Sequence, residues 1–207
     1  MKNLPDVTCL APKAGTLLRE LVASCPFLDR SVLVGGSALA MHLKHRQSED
    51  LDFFTYAEGN FSKKIIRNYI KRFQQKEILN ETDDQIDLLI NGVKVTFFDA
   101  KWSFLRPSQV DKFNLASLEA IAAMKVNVLF LRATYRDYYD LYFLAQELGV
   151  RKIFDVSKDV VPGLTYKLFC TALLYIDDIA DEHISHLKPK ENISKKEIRS
   201  FLEKGVF

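Results

Sequence analysis

Asp50 and Asp52 stand two residues apart in the run Asp50-Leu51-Asp52-Phe53-Phe54. In an extended chain alternate side chains share a face, so the two carboxylates project together, with their Cα atoms roughly 6.5–7 Å apart. Such a pair can share a Mg²⁺ ion, a hard cation that completes its shell with water and substrate phosphate oxygens. Twelve residues separate Asp50 from Gly35-Gly36-Ser37, which directly follows the apolar run Val32-Leu33-Val34. Glycines at a strand-to-helix turn let backbone N–H groups approach phosphates closely, and the N-terminus of the helix adds partial positive charge there. Ser37 can add a hydroxyl donor. A Gly-Gly pair or an Asp-x-Asp alone is an ordinary turn or strand end. Joined across one helix, they describe a place for a nucleoside triphosphate and its metal.

The elements that must position these residues follow from periodicity. Leu17, Leu18, Leu21 and Val22 are at helical spacing over residues 15–23, and Pro26 closes that helix before a strand over Ser31–Val34. Residues 38–43 are helical, and the polar run 44–49 leads into a strand over Leu51–Thr55. Asn60-Phe61-Ser62 starts a helix with Ile65, Ile66, Tyr69, Ile70 and Phe73 on one face. Asn91-Gly92 between the apolar runs 86–90 and 93–98 is a hairpin signal, so the sheet mixes parallel and antiparallel strands.

From residue 114 onward the pattern is helical. One helix covers 115–131, and Thr134 with Asp137 three residues later reads as a capping box opening a second helix that Gly149 closes. Pro162 and Ser194-Lys195-Lys196-Glu197 mark later helix starts. The division expected is an α/β domain over 1–110 and a helical domain over 111–207 packed on it.

Composition narrows the class. The 207 residues are 48% hydrophobic, enough for a substantial core, and the formal net charge of +2 supplies no global field for nucleic acid. Cys9, Cys25 and Cys170 are widely spaced, which points to free thiols rather than a zinc site or a disulfide framework. No apolar run approaches the length of a membrane span and no signal-type apolar core follows Met1, so a cytoplasmic protein without membrane contact is expected.

A second cluster lies in the helical half. Lys125 and Arg132 are seven residues apart, hence on nearly one helix face, and Arg136 and Asp140 are spaced to form an i,i+4 pair. Lysine offers a compact cation for phosphate oxygens, and arginine grips phosphate or carboxylate at two points. Tyr135, Tyr138, Tyr139 and Tyr142 are at helical spacing and are expected to pack a core. His42 and His45 suit surface or helix-end positions.

The order Gly36-Ser37, twelve residues, then Asp50-Leu51-Asp52-Phe53 resembles the nucleotidyltransferase superfamily with its polymerase-beta-like fold, and within it the AbiEii/AbiGii toxin family. Lys125, Arg132 and Arg136-Asp137-x-x-Asp140-Leu141 resemble a second segment of that family. The fold implied is α/β (α+β): a nucleotidyltransferase-like mixed β-sheet flanked by helices, with a C-terminal helical part. The activity implied is Mg²⁺- or Mn²⁺-dependent transfer of a nucleoside monophosphate from a triphosphate to a hydroxyl acceptor. RNA, and tRNA in particular, is the acceptor implied, and an antitoxin protein the partner.

By the same resemblance Asp50 and Asp52 are catalytic and hold metal, and Gly35, Gly36, Ser37, Lys125, Arg132 and Arg136 bind nucleotide. Lys125 and Asp137 join the catalytic set. A third carboxylate is expected on the strand Val93–Phe98, where the aligned position holds Thr96. Asp87 on the partner strand, Asp99 at the strand end, or Asp137 could serve in its place. A binding module without catalysis on the same scaffold, and a kinase-like phosphotransferase, are the competing readings.

Overall fold

In the computed structural model, residues 6–107, 111, 113–180 and 184–206 are described. The chain divides into two compact units, one of Met1–His42 with Gln47–Ala116 and the other of Leu43–Arg46 with Ser117–Phe207.

The first unit is built on a five-stranded sheet. Its strands are β1 (Ser31–Val34), β2 (Leu51–Thr55), β3 (Lys76–Glu81), β4 (Gln85–Ile90) and β5 (Val93–Phe98), in the order β1-β2-β5-β4-β3. Only β2 and β5 run parallel; the other neighbours are antiparallel. The mixed sheet expected from the sequence is therefore present. The Asn91-Gly92 hairpin has φ of 52° and 80° at its two residues, the left-handed pair that matches the twist of the flanking strands. The strand β3 had no clear signal, because Lys-Glu-Ile-Leu-Asn-Glu lacks alternation and is largely exposed at the sheet edge.

One face of the sheet is the core. Leu51, Phe53, Ile86, Leu88, Val95 and Phe97 are buried on it. Phe97 lies 5.3 Å from Phe53 and 5.7 Å from Phe27 between ring centroids, and Phe27 meets Tyr69 edge-on. Each such side chain contributes about 1.5–3 kcal/mol when taken from water. The unit includes α1 (Pro12–Ser24), with Leu17, Leu18 and Leu21 buried, and α3 (Lys63–Ile70), with Ile66 and Ile70 buried. The opposite face carries alternate residues of the same strands: Asp52 and Phe54 on β2, Thr96 and Phe98 on β5, Gln85 and Asp87 on β4. Between β1 and β2 lies α2 (Gly35–Leu43), which starts at the first glycine rather than after Ser37.

The second unit is helical, with α4 (Leu118–Arg132), α5 (Tyr135–Leu148), α6 (Val150–Ser157), α7 (Tyr166–Leu174) and α8 (Lys195–Val206). Ser117 caps α4 by accepting from the Ala120 N–H at 3.2 Å. Ser194 and Glu197 make the reciprocal capping box that opens α8. Gly149, at φ 79°, closes α5. Pro162 does not open a helix: it sits in a turn, and α7 starts later with Thr165 as its cap. Tyr138 and Tyr139 are fully buried, and their hydroxyls donate to backbone carbonyls of Ala172 and of His45 and Glu191. The expectation that these rings pack a core holds. The three cysteines are free thiols, and burial pushes Cys25 up to about 11.

Candidate active site

The strand register assembles the first site. Val34, the last residue of β1, pairs with Asp52, so the turn that follows delivers Gly35 against the Asp52 side chain. Gly35 adopts φ +68°, and a methyl group built on its Cα would stand 3.0 Å from Asp52 Oδ2. No other residue type allows both the left-handed backbone and that approach. Ser37 is 1% exposed, and its hydroxyl donates to the backbone carbonyl of Asp50. The hydroxyl read as a phosphate donor thus ties the start of α2 to the residue that enters β2. Asp50 and Asp52 are half-buried, and Asp50 lies one residue before the strand begins.

Gly35→Ala is expected to disturb binding more than folding. The left-handed conformation alone would cost about 1–2 kcal/mol, and the methyl group would displace the Asp52 carboxylate. Gly59→Ala is the matched control, since Gly59 has φ +74° with nothing within 4 Å. Thermal melting should report similar losses for the two, while titration with a magnesium–nucleoside triphosphate should weaken in Gly35→Ala alone.

Beside Asp52 the sheet carries a row of polar residues. Asp52 on β2 pairs with Thr96 on β5, and Thr96 pairs with Asp87 on β4, so the three side chains share one face. Thr96 Oγ1 donates to Asp87 Oδ1 at 2.8 Å, and Gln85 Nε2 donates to both Asp87 oxygens at 2.9 Å. Asp99 falls on the opposite parity, where it accepts from Thr55 Oγ1 at 2.9 Å and lies 3.4 Å from Lys101. Of the three substitutes considered for the third carboxylate, Asp87 and Asp99 belong to the sheet, and the register brings Asp87 and not Asp99 to the face of Asp52.

The second cluster lies within the helical unit. Lys125 Nζ sits 2.9 Å from Asp137 Oδ1 and 2.6 Å from Asp140 Oδ2, and all three groups are buried. Thr134 Oγ1 donates to Asp137 Oδ2, so this hydroxyl bonds the side chain rather than capping the α5 backbone. Asp140 also accepts from Arg46 through Nε and Nη2, at 2.7 and 2.8 Å, and from His45 Nε2 at 2.8 Å. The expected helix pair between Arg136 and Asp140 is replaced by these partners. The expectation for His45 is also corrected: it is fully buried, because its Nε2–H fills a place on the Asp140 carboxylate. His42 is exposed and shares a hydrogen bond with the Ala116 carbonyl, and Arg132 is exposed at the end of α4. Arg136 is half-buried in the first turn of α5.

Burial by itself would raise the carboxyls of Asp137 and Asp140. The partners of each together outweigh it, Lys125 with Thr134 and Arg132 at Asp137 and Lys125 with Arg46 and His45 at Asp140, so Asp137 is held low and Asp140 well below the usual carboxylate range. For His45 burial prevails over Asp140 and holds the imidazole neutral. All three groups therefore bind protons less readily when folded. Their stabilisation is complete above the unfolded histidine value, declines below about pH 6.5 and falls faster below about pH 4. Melting midpoints followed across pH should show these two stages, and His45→Gln should remove the upper one.

His45 and Arg46 were not singled out in the sequence as partners of Asp140. They lie 95 and 94 positions away, and no spacing rule connects them. Asp87 could be noticed as an acid in an apolar strand; its alignment with Asp52 depends on two strand registers at once.

The five-stranded mixed sheet, with Asp52 of β2 against the glycine that follows β1, has a nucleotidyltransferase fold. Among solved structures, the chain is similar to JHP933 from Helicobacter pylori, with a TM-score of 0.55 at 19% identity over 95% of this chain and 91% of that one. It is similar also to the antibiotic-resistance factor ANT(2'')-Ia, with a TM-score of 0.53 at 13% identity over 70% of this chain and 89% of that one. An uncharacterized protein of Aquifex aeolicus (strain VF5), aq_aa25, is 26% identical over 89% of this chain and 94% of its own length. The family model described as nucleotidyl transferase AbiEii toxin, type IV toxin–antitoxin system, matches residues 16–111 and 93–160. The chain belongs to this AbiEii nucleotidyltransferase toxin family.

Proposed function

We propose that the protein transfers a nucleoside monophosphate from a nucleoside triphosphate to a hydroxyl acceptor, with RNA as the acceptor class and a cognate antitoxin as its protein partner. One observation carries the reading: the Asp52 carboxylate lies against the Cα of Gly35, where a glycine turn and a helix N-terminus favour phosphate. Asp50 and Asp52 supply the hard oxygen ligands that Mg²⁺ or Mn²⁺ accepts, and such an ion leaves positions for substrate phosphates. When bound, the ion would neutralise charge developing on the phosphates. Gly35 and Gly36 would present backbone N–H groups to the triphosphate, while Ser37 fixes the turn through Asp50. Lys125, Arg132 and Arg136 are the cations that the family resemblance assigns to phosphate. Lys125 already serves two carboxylates, so its contribution includes ordering the helical unit. No helix among the described residues is long and apolar enough to cross a membrane, and a cytoplasmic location is part of the proposal.

The experiment is incubation with total RNA, Mg²⁺ and triphosphates labelled at either the α or the γ phosphorus. Label transferred from the α position with release of pyrophosphate is the expected result. Transfer of the γ label would mark a phosphotransferase, and nucleotide binding with neither transfer would mark a binding module. Thr96 in place of an acidic residue is the observation that favours the module.

A further inference from the structure

We infer that Thr96 and Asp87 act together as the base for the acceptor hydroxyl, with Thr96 Oγ1 meeting the acceptor and Asp87 receiving the proton. The inference rests on the transferase reading above. Adjacent strands stand about 4.8 Å apart, which puts Thr96 next to Asp52 and Asp87 one strand farther along the same row. A threonine hydroxyl is by itself too weak a base for this task. Here, however, its proton already points at a carboxylate 2.8 Å away, which leaves the oxygen lone pairs to accept.

The environment of Asp87 suits this use. It is 8% exposed, and both of its oxygens are held by neutral donors, Gln85 and Thr96. Taking up a proton there breaks no ion pair, whereas protonating Asp137 would break its bond with Lys125. Thr96, itself 6% exposed, stands between Asp87 and Asp52 along the row, and that place beside Asp52 is what gives its hydroxyl the role. Asp87 is therefore a positioning residue.

In the step, the acceptor oxygen forms a bond to the α-phosphorus while its proton moves to Thr96 Oγ1. The Thr96 proton moves to Asp87 Oδ1, and the bond from the α-phosphorus to the pyrophosphate oxygen breaks with its electron pair leaving on pyrophosphate. Thr96 ends as it began, and no free alkoxide forms on it.

The test compares the full chain with Asp87→Asn, Thr96→Ala, Thr96→Ser and two double variants, Asp87→Asn/Thr96→Ala and Asp87→Asn/Thr96→Asp. Transfer rate, calorimetric affinity for magnesium–triphosphate and melting midpoint are measured for each. Asp87→Asn and Thr96→Ala should each lower the maximal rate by about 10²-fold or more, the scale of general-base loss. Their combination should be no slower than either alone, because both interrupt one relay. Nucleotide affinity and melting midpoint should stay close to those of the parent. Thr96→Ser should keep most of the rate, and Asp87→Asn/Thr96→Asp should recover much of it by placing a carboxylate beside Asp52.

A parent-like rate in Asp87→Asn, or losses that multiply in Asp87→Asn/Thr96→Ala, would overturn the relay while leaving the transferase reading intact. Absence of transfer in the parent would remove that reading, and the relay with it. An inactive parent made active by Asp87→Asn/Thr96→Asp would show that Asp87 does not fill the role.

Discussion

Asp52→Asn is expected to reduce nucleotide transfer by on the order of 10³-fold while the melting midpoint stays near that of the parent. The asparagine is isosteric and can remain beside Gly35, so the turn keeps its shape. What it loses is the negative charge that a divalent ion and its triphosphate require. Asp50→Asn should act in the same direction, because the proposed ion takes an oxygen ligand from each acid. The half-buried position of each acid predicts that neutralisation is tolerated by the fold. Single-turnover rates with α-labelled triphosphate, alongside thermal melting, check both parts. A variant that folds and still transfers at the parent rate would take Asp52 out of the chemistry.

Asp140→Ala is expected to give the largest loss of stability in the chain, about 3–5 kcal/mol. Asp140 is fully buried and collects Arg46, His45 and Lys125 on one carboxylate. Its removal leaves two buried cations, Lys125 and Arg46, with the charge of Asp137 shared between them. A loss of that size lowers the melting midpoint by roughly 6–20 °C in a chain of this length. Asp155→Asn provides the contrast, since its pair with Lys158 is solvent-exposed and should leave the midpoint unchanged. Equal effects of the two substitutions would show that the cluster around Asp140 is not a structural keystone.

The parts legible in the sequence were those governed by local rules. The Asn91-Gly92 hairpin, the Ser194 and Glu197 capping box and the glycines that open α2 each declare themselves over a few residues, because turn and cap geometry is set locally. The strand β3 was illegible for the same reason: an exposed edge strand is fixed by its neighbour and not by its own pattern. The same-facing side chains of Asp52 and Thr96 require knowing that β2 and β5 are parallel neighbours in one particular register. His45 was misjudged because burial of an imidazole depends on a carboxylate 95 residues away. The ion pair of Asp137 with Lys125, at 2.9 Å, was not legible because the two residues lie on different helices whose packing no spacing rule fixes.

The most direct test of the proposed site is anomalous diffraction at the manganese edge from crystals grown with Mn²⁺ and a non-hydrolysable nucleoside triphosphate. The account predicts a manganese peak within bonding distance of the Asp50 and Asp52 carboxylates, with the phosphates over Gly35 and Gly36. A peak held by other residues, or phosphates bound away from that turn, would contradict it.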